Sequence, residues 1–281
     1  MSEELNIVLS VYRGLINMCE ANGDIPVYLR PNEIIGTVQD DPFDCWIESC
    51  IKNFLPPGME VFHSGKLTTP DLIIRNRYIG SIVGFEIKKL IQRQDGKDSR
   101  GLTMDYNSCL PCGRTLIKCG GDTLVIPCYY IYALLNPQST EIITLVIVDG
   151  DFINYDFNLH KEAKYSNFTE YGHGPYQEGS VRHRKMYTYP NPLNTRLDCF
   201  YHHKILVAKK SMINLHELAC PVNKEIVRTD KYGNSFYYYI INEISPQTAI
   251  SSLRTITDIF SKCKLRNPKE RVAYIPEIPK I

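Results

Sequence analysis

Two stretches of the chain have apolar residues at the spacing of an amphipathic helix. The first covers about residues 3–21, where Ser2 is the predicted N-cap, acids occupy the first turn and Gly23 follows the last periodic position. A stripe of this kind packs against the core of a globular domain. Its members are Ile7, Val8, Val11, Leu15, Met18 and Cys19.

The second helical stretch covers about residues 42–55. Asp41 is its predicted cap, Pro42 occupies the first helical position, and Pro56-Pro57-Gly58 ends it. Its predicted buried stripe consists of Phe43, Trp46, Ile47, Cys50 and Phe54.

Runs rich in Val, Ile, Tyr and Leu predict strands rather than helices. A Tyr-rich run at 235–242 predicts a late strand, and the pattern from Ser245-Pro246 to about residue 262 predicts a third helix. Helices and strands in this order are typical of an α/β protein. The earlier predicted strands are 60–63, 71–75, 82–88, 123–134 and 141–148.

Charged residues occur at two of these strands, in Pro70-Asp71 and, after fourteen intervening residues, in Glu86-Ile87-Lys88. Because side chains alternate along a strand, Glu86 and Lys88 point to one side and Ile87 to the other. If the two strands are paired, Asp71 can approach Glu86. Two carboxylates and an ammonium at one point are suited to holding Mg²⁺ against a phosphodiester and activating a water.

This arrangement resembles the PD-(D/E)xK nuclease superfamily, and the chain as a whole resembles a type II restriction endonuclease of that group. The resemblance implies a restriction-endonuclease-like core, in which a mixed central β-sheet is flanked by helices, with long inserted loops or a small subdomain. It implies that Asp71, Glu86 and the backbone carbonyl of Ile87 coordinate Mg²⁺. Lys88 would orient or deprotonate the attacking water. The alternative is an ordinary surface hairpin with Glu86 and Lys88 as a solvated pair.

An additional acid is expected on the helix that precedes the Pro-Asp strand. Glu48 matches that position by resemblance and would hold or orient a water of the metal shell. Asp44, one turn earlier, is the competing assignment. In the alternative interpretation, Glu48 simply lies on the solvent face of the helix, opposite the apolar stripe.

A polar, Gly-interrupted segment follows the motif directly, at residues 92–101 and 104–108. Arg and Lys can hydrogen-bond guanine, and Asn and Gln can hydrogen-bond adenine, in the major groove. A surface loop without function is the alternative. The candidate DNA-binding residues here are Arg93, Lys97, Arg100 and Asn107.

A second candidate DNA-binding segment covers about residues 156–194. A loop of this length inside a compact domain is usually functional or disordered, and aromatics interleaved with His, Gln and Arg favour nucleic-acid contact. Lys204, Lys209 and Lys210 would extend a phosphate-contacting rim; the alternative is that each is simply a solvated surface lysine. The candidates within the segment are His173, Gln177, Arg182, Arg184 and Lys185.

Composition sets the outer bounds of these predictions. At 281 residues and 43% hydrophobic content, we expect one endonuclease domain over residues 1–281, with a catalytic core at about 30–150. Recognition or dimerisation elements would occupy about 91–118 and 156–281. The net charge of +1 requires any DNA-binding surface to be local. Neither a long apolar run nor a signal peptide is present, so the expected location is cytoplasmic, with the ten cysteines reduced.

Four of the cysteines raise the question of zinc. Cys109 and Cys112 have the spacing of a zinc knuckle, but the interval from Cys119 to Cys128 is too wide for a second pair. Cys128 also lies in an apolar run, where a small buried thiol is the simpler interpretation.

The expected function is therefore a Mg²⁺-dependent type II restriction endonuclease that cuts double-stranded DNA at a specific sequence and leaves 5′-phosphate ends. A homodimer would match a palindromic site, and a DNA methyltransferase would be its functional, not physical, partner. One alternative is a structure-specific or repair nuclease. Another is a non-catalytic DNA-binding protein on the same scaffold.

Overall fold

The structure is a computed structural model that describes residues 1–21, 42–65, 68–96, 102–105, 113–153, 185–188, 191–193, 200–218, 221–229, 232–242 and 275–280. Within these residues it is a mixed α/β protein, with a large mixed β-sheet flanked by few helices. The predicted third helix and Gly23 and Asp41 lie outside the described residues. In the described part of the chain, no helix combines the length and apolarity needed to span a membrane.

Helix α1 covers Glu3–Ala21, and its predicted N-cap is present because the Leu5 amide donates to Ser2 Oγ over 3.2 Å. Helix α2 covers Pro42–Phe54. One member of its predicted stripe is wrong: Phe54 is 41% exposed, and Ile51 is buried instead. The reason is close packing of the helices, since a Cβ on Gly14 of α1 would lie 2.6 Å from the Phe54 Cβ. The Phe54 stem covers α1 while its ring faces outward.

The strands predicted before residue 150 are all present, with shifts of one to three residues at their ends. The strand predicted at 235–242 is also present, whereas six further strands were not predicted. A 3₁₀ helix covers Lys210–Met212. The strands are β1 Met59–His63, β2 Leu72–Asn76, β3 Ile82–Ile91, β4 Thr103–Asp105, β5 Arg114–Cys119, β6 Asp122–Leu135, β7 Ile142–Asp149, β8 Lys185–Tyr187, β9 Lys204–Lys209, β10 Val222–Thr229, β11 Ser235–Ile241 and β12 Glu277–Ile278.

The main sheet has the strand order β1-β2-β3-β6-β7-β9-β11-β10, and β5 joins it by pairing with β6 and β12. The pairs β3–β6 and β7–β9 are parallel, while β2–β3 and β6–β7 are antiparallel. Strand β3, which carries Glu86 and Lys88, is thus an interior strand. Strands β4 and β8 form a separate two-stranded sheet.

The two faces of the main sheet are buried differently. Helices α1 and α2 cover one face, where Phe85, Tyr129 and Ile147 belong to the largest apolar cluster. On the other face, Tyr130, Tyr132 and Val148 belong to a second cluster that includes Phe152 and Phe200. Because both faces are covered there, β6 from Ile126 onward and most of β7 are apolar in sequence, rather than alternating between apolar and polar residues.

Candidate catalytic site

Asp71 and Glu86 lie side by side where strand β2 begins. The antiparallel register of β2 and β3 pairs Leu72 with Phe85, and continuing it by one residue places Asp71 opposite Glu86. Opposed residues of antiparallel strands have side chains on the same face, about 4.5–5.5 Å apart at Cβ. The two carboxylates are therefore neighbours on the face away from the helices.

The Asp71 carboxylate is held at the edge of β3. The Ile87 amide donates a hydrogen bond to Asp71 Oδ2 over 2.7 Å. In a strand, the N–H and C=O of one residue point to the same edge, so the Ile87 carbonyl also faces the Asp71 side. The Asp71 carboxylate and the Ile87 carbonyl therefore lie at the same edge of β3, and Glu86 is the residue next to Ile87.

Glu86 and Lys88 form an ion pair on one face of β3, with Lys88 Nζ 2.5 Å from Glu86 Oε1. The Glu86 side chain is only 3% exposed and that of Lys88 20% exposed. Their parallel partners in β6 are Tyr130 and Tyr132, both buried. The interpretation as a solvated surface pair is therefore wrong. Burying a charged pair is costly unless it has a further role.

Lys89 points to the opposite face of β3, as strand alternation predicts. Its Nζ lies 5.4 Å from the ring centroid of Phe43 in α2, which is a cation–π contact on the helix side of the sheet. The two adjacent lysines therefore have separate environments, and only Lys88 accompanies the carboxylates.

Glycine at position 84 allows the Pro70-Asp71 segment to lie against β3. A Cβ at Gly84 would lie 2.7 Å from Pro70 Cγ and 3.3 Å from Thr115 Cγ2, so the proline occupies the space that any side chain would need. The peptide bond between Thr69 and Pro70 is cis. The close approach of Pro70 to β3 brings the following Asp71 within reach of the Ile87 amide.

Gly84→Ala should therefore displace Pro70 and Asp71. We expect a loss of about 1–3 kcal/mol in the free energy of unfolding, because the added methyl overpacks a buried contact. We also expect Mg²⁺ affinity to fall, since a ligand of the site moves. Denaturant unfolding and calorimetric Mg²⁺ titration measure the two effects. Wild-type metal affinity in this variant would show that Asp71 does not depend on Pro70.

Glu48 contacts one residue of its own helix and one residue of strand β1. Glu48 Oε1 lies 2.6 Å from Lys52 Nζ, and Glu48 Oε2 lies 3.1 Å from His63 Nδ1. His63 is the β1 partner of Leu72, the residue after Asp71, so Glu48 lies near the start of β2. Its side chain is 12% exposed, so Glu48 is not on an open solvent face. Asp44 is half-buried in the first turn of α2.

Among the described residues, no group of three or more His, Cys, Asp and Glu side chains has an arrangement that could hold a metal ion. Glu48 thus does not form a three-carboxylate group with Asp71 and Glu86, and its role in holding or orienting a water of the metal shell stays a prediction. A carboxylate pair with a backbone carbonyl is nevertheless a suitable donor set for Mg²⁺, which prefers hard oxygen ligands and keeps several waters. The residues present fit a magnesium ion held by Asp71, Glu86 and the Ile87 carbonyl.

The structure describes a short part of each polar segment predicted to contact DNA, and these two parts pair with each other. Strand β4 lies within the first segment and β8 within the second, with Asp105 opposite Lys185. Next to β8, Thr188 Oγ1 lies 3.2 Å from the hydroxyl of Tyr132, the β6 partner of Lys88. The small sheet therefore lies beside the face that carries the catalytic candidates.

Arg93 is exposed in the turn after β3, where its carbonyl accepts a hydrogen bond from the Gly96 amide. The side chain of Lys185 is not among those described. The remaining DNA-binding candidates lie outside the described residues: Lys97, Arg100, Asn107, His173, Gln177, Arg182 and Arg184.

A second charged cluster, which sequence reasoning missed, lies where β7 and β9 end. Asp149 is buried, its Oδ1 accepts a hydrogen bond from the Asp151 amide over 2.8 Å, and Lys209 forms an ion pair with Asp151. Lys209 Nζ also lies 3.7 Å from Asp149 Oδ2. The prediction of Lys209 as a rim contact for phosphate is wrong, because two carboxylates engage it. Lys210 likewise pairs with Glu225, while Lys204 begins β9.

The pKa of Asp149 is raised to about 7. Burial is the main cause; Lys209 opposes it, and the neighbouring Asp151 carboxylate adds to it. Burial disfavours the charge on Lys209, but the two carboxylates outweigh that effect and raise its pKa. An Asp-Gly-Asp sequence directly after an apolar strand was the signal that sequence reasoning could have used. Nothing in the sequence around Lys209 indicated its contact with these carboxylates.

Cys119 and Cys128, the two described members of the possible zinc-binding set, do not form a zinc site together. Cys119 and Cys128 are both buried free thiols. Cys119 pairs with Asp122 at the tip of the β5–β6 hairpin, whereas the Cys128 amide bonds to Gly113 at its base. They lie at opposite ends of the same pairing. Cys109 and Cys112 lie outside the described residues.

Comparison of this chain with protein-family models, curated proteins and solved structures yields no match. The resemblance to the PD-(D/E)xK superfamily therefore stays a prediction from the sequence motif.

Proposed function

We propose that this protein is a Mg²⁺-dependent endonuclease that hydrolyses phosphodiester bonds in double-stranded DNA. The observation that carries the proposal is the hydrogen bond that holds the Asp71 carboxylate on Ile87, the residue between the ion-paired Glu86 and Lys88. Glu86 is buried, and Asp71 and Lys88 are half-buried. Removing charges from water is costly, and metal-assisted hydrolysis of an anionic substrate would account for all three.

Each residue has a defined role in this mechanism. Asp71, Glu86 and the Ile87 carbonyl would hold Mg²⁺, which when bound polarises a phosphate oxygen and lowers the pKa of its water. Lys88 would orient or deprotonate the attacking water and stabilise charge developing at phosphorus. The Ile87 amide keeps Asp71 in place, and Glu86 keeps Lys88 on the same face. The products would be 5′-phosphate and 3′-hydroxyl ends.

The position of the small sheet supports DNA as the substrate. Its two strands belong to the two polar segments, and Thr188 contacts the tyrosine that is the β6 partner of Lys88. The described parts of both segments therefore lie beside the proposed catalytic residues, as a DNA-contacting surface next to the scissile phosphate would require. We infer sequence-specific cleavage of the type II restriction kind, by a homodimer that matches a palindromic site, with a methyltransferase protecting host DNA.

Incubation of the purified protein with phage-sized DNA, with Mg²⁺ or with EDTA, tests the proposal. Discrete bands with Mg²⁺ alone are the expected result, and sequencing of the fragment ends gives the recognition site and the stagger of the cut. Cleavage that follows branches or nicks rather than sequence would instead indicate a structure-specific nuclease. Failure to cut unmethylated, methylated and branched DNA would contradict the proposal and favour a binding protein.

A further inference from the structure

Strand β5 covers the segment that precedes Asp71. Thr115 of β5 is buried, and its hydroxyl donates a hydrogen bond to the Thr69 carbonyl over 3.2 Å. Asp71 is only two residues further along the chain. A hydrogen bond at this point restrains the backbone from which the Asp71 carboxylate projects.

The methyl group of Thr115 has a different role from its hydroxyl. Thr115 Cγ2 lies 3.3 Å from the position that a Cβ on Gly84 would occupy. Pro70 Cγ lies 2.7 Å from the same position. Thr115 and Pro70 therefore share the space above Gly84. The methyl group packs there, while the hydroxyl binds the main chain before Pro70.

Strand β5 is itself fixed at its start. The Gly113 amide donates to Asp151 Oδ1 over 3.0 Å, and the Cys128 amide donates to the Gly113 carbonyl over 2.9 Å. A Cβ on Gly113 would lie 2.4 Å from Asp151 Cγ, so only glycine permits this contact. The donor on Thr115 is thus part of a well-anchored strand, and the Thr69 carbonyl is held against it.

We propose that Thr115 is a positioning residue of the catalytic site, whose hydroxyl fixes the Thr69 carbonyl and thereby the distance from the Asp71 carboxylate to Glu86. This inference rests on the proposed function. Mg²⁺ requires near-ideal octahedral geometry, so a loosened ligand weakens binding of the ion. Removing a residue that orients a metal ligand from outside the coordination shell typically lowers metal affinity or activity by about 10–100-fold.

A matched pair of variants separates the two halves of the side chain. Thr115→Val keeps the shape and lacks the hydroxyl, whereas Thr115→Ser keeps the hydroxyl and lacks the methyl. We expect Thr115→Val to raise the Mg²⁺ concentration for half-maximal cleavage by about tenfold or more. Thr115→Ser should need about the same Mg²⁺ concentration for half-maximal cleavage as the wild type, even if its melting temperature is lower.

A second readout does not depend on catalysis. Hydrogen exchange of the Ile87 amide, measured by NMR, reports its bond to Asp71 directly. We expect faster exchange in Thr115→Val and near wild-type protection in Thr115→Ser. Equal protection and equal Mg²⁺ dependence in both variants would overturn the inference. The inference would also be overturned if both variants lost Ile87 protection and Mg²⁺ affinity in proportion to the fall in their melting temperatures.

The two proposals fail in distinguishable ways. If wild-type protein neither binds Mg²⁺ in calorimetry nor cuts DNA, the proposed function is contradicted. The exchange of the Ile87 amide then still decides whether Thr115 positions Asp71. If wild-type protein cuts DNA but Thr115→Val keeps the wild-type Mg²⁺ dependence and Ile87 protection, only the positioning role is wrong.

Discussion

Lys88→Met should lower Mg²⁺-dependent DNA cleavage by about 10²–10³-fold, while Lys89→Met keeps most of the activity. Methionine retains the length of the lysine stem but has no charge to orient a water or to stabilise the developing charge at phosphorus. Lys89 is the matched control because it is the next residue, carries the same charge and contacts Phe43 on the opposite face. Single-turnover cleavage rates, measured at saturating Mg²⁺, give the comparison.

DNA binding should survive the Lys88 substitution. Glu86→Ala should likewise abolish cleavage and leave, or even strengthen, DNA binding, because removing a carboxylate relieves repulsion from phosphate. Binding is measured by gel shift in EDTA, so that no cleavage interferes. Equal rates for the Lys88 and Lys89 variants would remove Lys88 from the mechanism. Cleavage that persists in both the Lys88 and Glu86 variants would place the active site elsewhere.

The local features of this protein were predictable from its sequence. Ser2 caps α1, and the proline and glycine residues after α2 stop it, because capping and helix termination depend on residues adjacent in the chain. The approach of Asp71 to the Glu86-Ile87-Lys88 segment was predictable on the condition that the two strands pair, and β2 and β3 do pair across a short turn. The exposure of Phe54 was not predictable, since it depends on how α2 meets Gly14 of α1.

Contacts between distant parts of the chain account for what was missed. The pairing of β4 with β8 joins residues about eighty positions apart in the chain. Neither strand is long enough to show a clear alternation of apolar and polar residues. The contact of Thr115 with Thr69 likewise depends on the packing of β5 against a segment more than forty residues earlier in the chain. The same applies to Lys209, which reaches Asp149 and Asp151 because β7 and β9 are parallel neighbours. Such pairings are set by tertiary packing rather than by local propensity.

The Asp149 cluster makes the stability of the fold depend on pH. In the folded protein, the pKa of Asp149 is about 7, compared with an ordinary value of 3.8. Between these values, the folded state holds a proton that the unfolded state has lost, so the free energy of unfolding falls as pH rises through this window. Lys209 does not offset this fall, because its raised pKa matters only above its ordinary value of 10.5.

Asp149→Asn should therefore remove most of this fall and leave a protein that is more stable than wild type at pH 8, by roughly 2–4 kcal/mol. Asparagine resembles the protonated acid in shape and can still accept the hydrogen bond from the Asp151 amide. At about pH 3 the two proteins should differ little, because Asp149 is then protonated in both the folded and the unfolded state. Urea unfolding at several pH values between about 3 and 8 measures the difference. Asp122→Asn, the same substitution at a residue 72% exposed, is the control and should keep the wild-type slope. A constant difference between Asp149→Asn and wild type at all pH values would show that Asp149 is ionised in the folded protein, with Lys209 compensating its burial in full.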